Sequence, residues 1–460
     1  MKKISPNDTI AAISTPIGEG AIGMVRMSGS ESLNIADKIF KGSNGKPPSR
    51  LKSHTVRYGR IVEESKSIDE VLLTVMRAPK TYTREDVVEI SCHGGAVALR
   101  RILESTVRFG ARLAEPGEFT KRAFLNGRID LSKAEAVLSI VQAKTEAALK
   151  LGIEQLSGGL SDKIKKIRKD LVGILSHIEA DIDFCDQEIE TGSCKKQKAE
   201  IKNVIKDLQR IIDDSHKVNF FREGIKVTIC GRPNVGKSSL LNALLRKERA
   251  IVTNIAGTTR DVIEEFINLG GIGIRLVDTA GVVKPKNIIE HHAIRLAKDS
   301  IALSDVVLLV FDSSQKLTKK DLGLMRELRP KNVIAVLNKI DLPLRIQVAR
   351  IRKEFRRVVL VSSLTQKNLD RLERTITSFA YKGKIISSEG LVTTNARQLQ
   401  EIKKTRDLVA NAQKSILKKL SLEFVALDLR VALDCLGRIT GESVDDAVLD
   451  KIFNEFCIGK

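Results

Sequence analysis

Tryptophan is absent from this 460-residue chain, and aromatic residues make up only 4% of it. That scarcity argues against a platform on which single-stranded bases stack. The six cysteines (Cys92, Cys185, Cys194, Cys230, Cys435 and Cys457) have neither the paired spacing of a metal site nor the density of a disulfide scaffold. No run approaches the roughly 18 apolar residues of a membrane span, and the opening Met-Lys-Lys-Ile-Ser-Pro lacks the apolar core of a signal peptide. These absences lead us to expect a soluble, cytoplasmic protein in a reducing compartment with no membrane partner.

What is present begins with enough apolar content, 42%, for substantial cores. The length suggests roughly three domains at about 150 residues each. Net charge is +21, so a polyanionic partner fits, either nucleic acid or an anionic surface. The basic stretches Lys163 to Lys169 and Lys195 to Lys206 are of a kind more often found as solvated helix faces than as nucleic-acid contacts.

Gly231-Arg-Pro-Asn-Val-Gly-Lys-Ser238 reads G-x-x-x-x-G-K-S, a phosphate-binding loop. Its glycines let backbone N–H groups converge on one anion, and the following helix adds its positive end. Lys237 would reach the β/γ-phosphates and Ser238 would ligate Mg²⁺. The apolar run Ile225–Cys230 before it reads as a strand, and Ser239–Leu245 after it as a helix.

Residues 1–120 alternate β-like runs (Val71–Val75, Val87–Ile90) with a helical pattern at Ala96–Val107, an α+β domain. Gly18-Glu-Gly-Ala-Ile-Gly23 matches a dinucleotide fingerprint, but the β-like Met24–Met27 follows where a helix is needed, so that reading is rejected. Residues 121–222 turn helical. Ser132-Lys-Ala-Glu135 has the form of a capping box, with Val137, Ile140, Val141, Ala148 and Leu151 on one face. Residues 223–380 alternate strand (Ile225–Cys230, Ile274–Val277, Val306–Phe311, Val333–Leu337, Val358–Val361) and helix, implying a largely parallel sheet with helices on both faces. Residues 381–460 are helical again, with Lys-rich segments near Lys403 and Lys418. The α/β triphosphatase domain is therefore expected as an insertion in an all-α domain.

Three more motifs follow the loop in the order a GTPase needs. Asp278-Thr-Ala-Gly281 closes a strand; its carboxylate can hold Mg²⁺ through water and Gly281 can offer an N–H to the γ-phosphate. In Asn338-Lys-Ile-Asp341 a carboxylate can accept both N–H groups of guanine, which selects GTP. Gly257-Thr-Thr-Arg-Asp261 lies between, where a switch loop carries a Mg²⁺-ligating threonine. Val282 stands where a water-orienting glutamine is found in Ras-like enzymes, and valine cannot orient water.

Over its whole length the chain resembles the MnmE (TrmE) family of tRNA uridine-modification GTPases. The resemblance rests on Gly231–Ser239, Ile251-Val-Thr-Asn-Ile-Ala-Gly-Thr-Thr-Arg-Asp261, Thr83–Glu89, His93-Gly-Gly95, Pro116–Asn126, Asp130-Leu131 and the terminal Phe456-Cys-Ile-Gly-Lys460. It implies a homodimer joined through N-terminal domains, with Ras-like G domains that associate when GTP and K⁺ bind. Asn234 matches the family's potassium ligand, with Thr253, Ile255 and Thr258 in the loop that wraps the ion. Thr259 matches the Mg²⁺-binding threonine, and Glu290 the glutamate that orients the attacking water through a second water. Asn234, Val235, Gly236, Lys237, Ser238, Ser239, Thr253, Thr258, Thr259, Asp278, Thr279, Ala280, Gly281, Asn338, Lys339, Asp341 and Ser362 would bind GTP. Glu290, Lys237, Asn234 and Cys457 would be the catalytic set.

The resemblance further implies a 5-formyl- or methylene-tetrahydrofolate at Arg26, Glu89, Arg128 and Lys460. Cations there suit a glutamate tail, and the Glu89 carboxylate suits a pterin edge. An FAD-dependent MnmG-type partner, in a heterotetramer or larger assembly, would complete the modification of carbon 5 of the wobble uridine of certain tRNAs. Cys457 is open to three readings: a poor prenylation box, a small buried hydrophobe, or the family's modification cysteine. Departures from the family pattern are Val283, Asn254, Leu364 in Ser362-Ser-Leu364, Cys185, and Arg128 for a lysine. Two other readings remain: an RNA-binding or ribosome-assembly GTPase, and a non-hydrolysing scaffold.

Overall fold

The computed structural model describes residues 8–43, 45–64, 66–183, 191–247, 264–269, 272–278, 301–329, 331–380 and 392–460. It divides into two compact units, one of residues 1–138, 155–209 and 394–460, the other of residues 139–154 and 210–393.

The first unit opens with β1 (Ile10–Ile13), β2 (Ile22–Ser28), α1 (Ser32–Ile39), β3 (Phe40–Gly42), β4 (Thr55–Glu63), β5 (Lys66–Met76), β6 (Val87–His93), α2 (Ala96–Arg108) and β7 (Arg112–Leu113). The seven strands form one sheet in the order β3-β4-β5-β6-β2-β1-β7. Every pairing is antiparallel except β1 with β7. Strand periodicity of two sends Val25, Met27, Leu73, Val75, Val88 and Ile90 into a core with Leu33, Ala36 and Ile39 of α1 and Leu99 and Ile102 of α2. Residues between them point to the opposite face, and there Arg26 and Glu89 are register partners on β2 and β6. Gly23, the last glycine of the rejected fingerprint, lies inside β2, and a β-carbon there would run into Leu99.

Helices α3 (Glu118–Leu125), α4 (Leu131–Val141), α5 (Glu146–Leu156), α6 (Gly159–Asp183) and α7 (Thr191–Glu223) follow. Two expectations are corrected here. The cap of α4 is Asp130, whose Oδ1 accepts from the Lys133 N–H at 3.0 Å, while Ser132 lies within the helix with its hydroxyl unbonded. Glu135 does not reach back as a capping-box partner. Its carboxylate instead takes Arg397 Nη2 at 2.8 Å and Gln398 Nε2. Nor do Val137 to Leu151 share one helix face, because α4 ends at Val141 and α5 starts afresh, with Thr145 Oγ1 accepting from the Ala148 N–H at 3.1 Å.

The second unit holds β8 (Ile225–Cys230), α8 (Lys237–Lys247), β9 (Glu264–Leu269), β10 (Ile272–Asp278), β11 (Val306–Asp312), α9 (Lys319–Leu328), β12 (Val333–Asn338), α10 (Val348–Glu354), β13 (Val358–Leu360) and α11 (Leu369–Ala380). Among the described residues its six strands run β13-β12-β11-β8-β10-β9, parallel except for β9, a strand the sequence did not reveal. On β11, Val306, Leu308 and Val310 face a core with Leu240, Leu244, Leu372 and Ile376. The alternate Val307, Leu309 and Phe311 face another with Met325, Leu328 and Ile351. Burial on both faces is why these strands read as continuous apolar runs.

The chain then returns through α12 (Ala396–Leu417), α13 (Leu422–Thr440) and α14 (Asp446–Phe453). α13 lies antiparallel to α6, joined by Arg430–Glu179 at 2.7 Å and, just past the end of α13, by Arg168–Glu442 at 2.8 Å. Arg406 Nη1 donates to Gln209 Oε1 of α7 at 3.0 Å. Helices from before and after the α/β segment thus share one bundle, which makes that segment an insertion in an all-α domain. The exposed Lys163, Lys165, Lys166 and Lys169 form the solvated face of α6. Among the described residues no helix is long and apolar enough to cross a membrane.

Candidate functional site

The phosphate loop joins β8 to α8, where a parallel sheet presents its carboxyl edge. Gly236 has φ 94, and a β-carbon there would strike Asn338 Nδ2, so the loop can pass this close only as glycine. Asn234 also has positive φ, 64, a conformation asparagine tolerates. Val235 is buried and anchors the loop, while Asn234, Ser238 and Ser239 are not. Lys237 Nζ lies across the loop, donating to the carbonyls of Gly231 at 3.1 Å and Arg232 at 2.9 Å.

The guanine-reading motif is tied directly to that loop. Asn338 Nδ2 donates to the Val235 carbonyl at 3.1 Å, and Asn338 Oδ1 accepts from the Ser363 N–H at 3.0 Å. Lys339, at φ 66, sends Nζ to the Asn234 carbonyl at 2.8 Å and to Asp312 Oδ2 at 2.7 Å. Burial raises the Asp312 pKa, but Lys339 and Ser314 outweigh it and hold the carboxyl below its usual range. Ser362 Oγ donates to Asp341 Oδ1 at 2.5 Å, so Ser362-Ser363 fixes both Asp341 and Asn338 despite the exposed Leu364 beside them. Arg232 Nε pairs with Asp321 Oδ1 at 2.7 Å, and Asp321 belongs to the capping box of α9. Asp312, Ser363 and Asp321 escaped the sequence reading. The only signal for Asp312 was a carboxylate at the end of an apolar strand.

Asp278 ends β10, in register with Ile229 of the strand feeding the loop. Thr253, Ile255, Thr258, Thr259, Thr279, Ala280, Gly281 and Glu290 lie outside the described residues, as do Val282, Val283, Asn254 and Cys185.

A second cluster lies in the first unit. Glu89 Oε1 receives Arg26 Nε at 2.8 Å and Nη2 at 2.7 Å. Glu89 Oε2 enters no hydrogen bond among the described residues, which leaves it as an acceptor. Arg26 also donates to the Gly459 carbonyl at 3.4 Å, which Ser14 Oγ reaches at 3.2 Å. Gly459 has φ 90 and lies so close to Ile13 that a β-carbon would strike its carbonyl. Arg26 sits over the Phe119 ring at 5.7 Å and Arg128 over the Tyr82 ring at 4.7 Å, two aromatics of one cluster. The Arg26–Glu89 pair thus meets the chain terminus at Gly459, next to Lys460, while Arg128 adjoins Tyr82, which packs against the cluster that holds Phe119.

The Pro116–Asn126 run is what brings the terminus there. Lys121 Nζ pairs with Asp450 of α14 at 2.6 Å, the Gly117 N–H donates to the Cys457 carbonyl at 3.4 Å, and Phe453 stacks between Phe124 and Phe456. Cys457 itself is exposed, unlike the buried Cys92, Cys230 and Cys435, which overturns its reading as a buried hydrophobe. Burial pushes the Cys230 thiol up to about 12 and those of Cys92 and Cys435 up to about 11, leaving them inert. Beneath lies a charge network: Arg122, 5% exposed, contacts Asp8, Glu85 and Glu118, while Arg112 takes Glu118 Oε1 at 2.6 Å. Glu85 and Glu118, from two of the family-like stretches, are structural. Among the described residues, no group of three or more His, Cys, Asp or Glu could hold a metal ion.

Two family profiles match the chain: "MnmE helical domain" over residues 131–457, and "GTP-binding protein TrmE N-terminus" over residues 9–128. The chain is 41% identical over 458 residues to the tRNA modification GTPase MnmE of Alkaliphilus oremlandii, covering 99% of each. It is 45% identical over 457 residues to that of Thermoanaerobacter pseudethanolicus, covering 98% of this chain and 99% of the relative. Among solved structures, Aquifex aeolicus Era bound to GDP and aluminium fluoride is 31% identical over 40% of this chain and 66% of its own, with a TM-score of 0.29. The G domain of T. maritima FeoB is 30% identical over 34% of this chain and 98% of its own, with a TM-score of 0.27.

Proposed function

The chain belongs to the MnmE family of tRNA modification GTPases, and on that premise we propose that it works with an FAD-dependent MnmG-type partner to add an aminomethyl or carboxymethylaminomethyl group to carbon 5 of the wobble uridine of certain tRNAs. As a GTP hydrolase of this family it uses GTP and Mg²⁺ and acts on tRNA. The observation that carries the finer reading is the convergence of the terminal tail on the Arg26–Glu89 pair. There the Gly459 carbonyl and the unbonded Glu89 oxygen stand beside Arg26, itself backed by the Phe119 ring, and Arg128 lies over Tyr82, which packs against the same cluster.

That donor set fits a reduced folate. Glu89 Oε2 can accept from a pterin N–H, and Arg26, Arg128 and Lys460 can receive a glutamate tail. The folate would supply a one-carbon unit, with FAD on the partner handling electrons. Exposed Cys457 is held at the rim of this region through its carbonyl.

In the G domain, the loop N–H groups and Lys237 would hold the phosphates, and Asp341, held by Ser362, would read guanine. Ser238, Thr259 and, through water, Asp278 would serve Mg²⁺. Asn234 with Thr253, Ile255 and Thr258 would hold a K⁺ ion whose charge acts where an arginine finger acts elsewhere. Glu290 would orient the attacking water through a second water, the task Val282 cannot perform. K⁺-dependent pairing of G domains within a cytoplasmic homodimer would drive the cycle. The domain bounds 1–120, 121–222, 223–380 and 381–460 belong to this reading.

GTP turnover by the full chain in potassium and in sodium tests the switch. Turnover in potassium only is expected, and equal, negligible rates in both would support the scaffold. Mass spectrometry of tRNA nucleosides from a strain lacking the chain tests the other end. Unchanged wobble-uridine modification would overturn the proposal and leave the RNA-binding GTPase alternative.

A further inference from the structure

An open cleft of about 390 Å³ lies on the G domain, between the edge strand β13 and helix α11. Arg356 and Arg357 enter it from the start of the strand, and Arg371 and Arg374 from the helix, with Val358, Val359, Thr375 and Ser378 completing its wall. No acidic side chain of the described residues lines it. Among the described residues, none of the four guanidinium groups has a carboxylate within ion-pair distance, although the chain forms many such pairs elsewhere. Four like charges held together with no ion-pair partner among the described residues repel one another, so the arrangement is stabilised when an anion enters.

The arginines are also placed for use. Arg357 lies over the Phe379 ring at 3.9 Å, which occupies its face and leaves its in-plane N–H donors directed outward. Arg371 and Arg374 are three residues apart on α11, one turn, and therefore project side by side. Thr375 and Ser378 spend their hydroxyls on the carbonyls of Arg371 and Thr375, so they offer little competition to the guanidinium groups as donors. A row of planar, always-charged forks along an open groove matches a polymer with regularly spaced phosphates better than one small anion. We propose that this cleft binds the sugar–phosphate backbone of tRNA, clamping the substrate on the G domain. The proposal rests on the tRNA-modifying reading only in naming RNA as the polyanion.

The test is fluorescence anisotropy of a labelled, unmodified tRNA transcript titrated with the full-length protein at several salt concentrations. The double variant Arg371→Glu with Arg374→Glu should bind roughly tenfold or more weakly, for cognate and non-cognate tRNAs alike. Its slope of log affinity against log salt should be shallower by about 2, one for each phosphate that is no longer neutralised. Arg371→Lys with Arg374→Lys, which keeps the charge, should retain most of the affinity, and GTP turnover without tRNA should be unchanged in both. Wild-type affinity and slope in the Glu variant would overturn the proposal and return the cleft to a protein-docking or solvent face. Wobble-uridine modification in the deletion strain is read separately, so the cleft can fail while the enzyme's assignment stands.

Discussion

Arg26 and Glu89 face each other across β2 and β6, with Nη2 2.7 Å from Oε1, and the same guanidinium reaches the Gly459 carbonyl at 3.4 Å. One arginine thereby ties the central sheet to the last residues of the chain. Glu89→Gln keeps the side chain's shape but removes the charge that orients Arg26. We expect wobble-uridine modification to fall at least roughly tenfold, one bond's worth of about 1.4 kcal/mol or more, with intrinsic GTP turnover unchanged. Turnover assays alongside tRNA nucleoside analysis check this. An equal loss of both activities would contradict it.

The charge network around Arg122 sets how the first unit responds to acid. Burial raises the pKa of Glu118, but the bonds from Arg112 and the Glu115 N–H, with the field of Arg122, overcome it and hold the carboxyl below its usual range. For Asp8, too, burial is outweighed by Arg112 and Arg122. A carboxyl depressed in the folded state contributes stability that is present above its unfolded pKa, near about 4, and is lost as pH falls through the folded value. Denaturant unfolding at a series of pH values should therefore show Glu118→Gln less stable than wild type at pH 7. The gap should close below about pH 4. A gap independent of pH would contradict the network's role.

Lys339 links the guanine motif to the phosphate loop and to Asp312, which is 2% exposed. Lys339→Met leaves that carboxylate without its cation and frees the Asn234 carbonyl. A loss of about 1–3 kcal/mol in G-domain stability is expected, with weaker GTP binding, by thermal unfolding and nucleotide titration. Wild-type affinity would show that the link is incidental.

Lys419 follows α12 at φ 55, where the Leu420 N–H bonds the Ser415 carbonyl, a helix end that favours glycine. Lys419→Gly should stabilise the protein by roughly 0.5–1 kcal/mol, relief of backbone strain outweighing the added freedom of the unfolded chain. Denaturant midpoints read this directly, and a lowered midpoint would contradict it.

The α/β insertion was legible in the sequence because strands buried on both faces write themselves as apolar runs, and because a phosphate loop must sit between strand and helix. β9 was missed since it borders the sheet and carries Glu264, Glu265 and Asn268 among its few apolar residues. The capping box at Ser132 failed by two positions because Asp130 caps the helix instead. Arg26 and Glu89 were named from resemblance, yet their pairing is a register fact between residues 63 positions apart, which no local pattern encodes. The roles of Glu85, Glu118 and Asp312 were hidden for the same reason. Each is defined by a partner the fold brings in from elsewhere.

On the proposed function, one chain couples a GTP switch to wobble-uridine chemistry at the Arg26–Glu89 cluster. The most direct measurement is mass spectrometry of tRNA nucleosides from a deletion strain complemented with wild type, Glu290→Ala or Glu89→Gln. Wild type is expected to restore the modified wobble uridine and neither variant is, Glu290→Ala for want of GTP turnover and Glu89→Gln with turnover intact. Full restoration by both variants would contradict it.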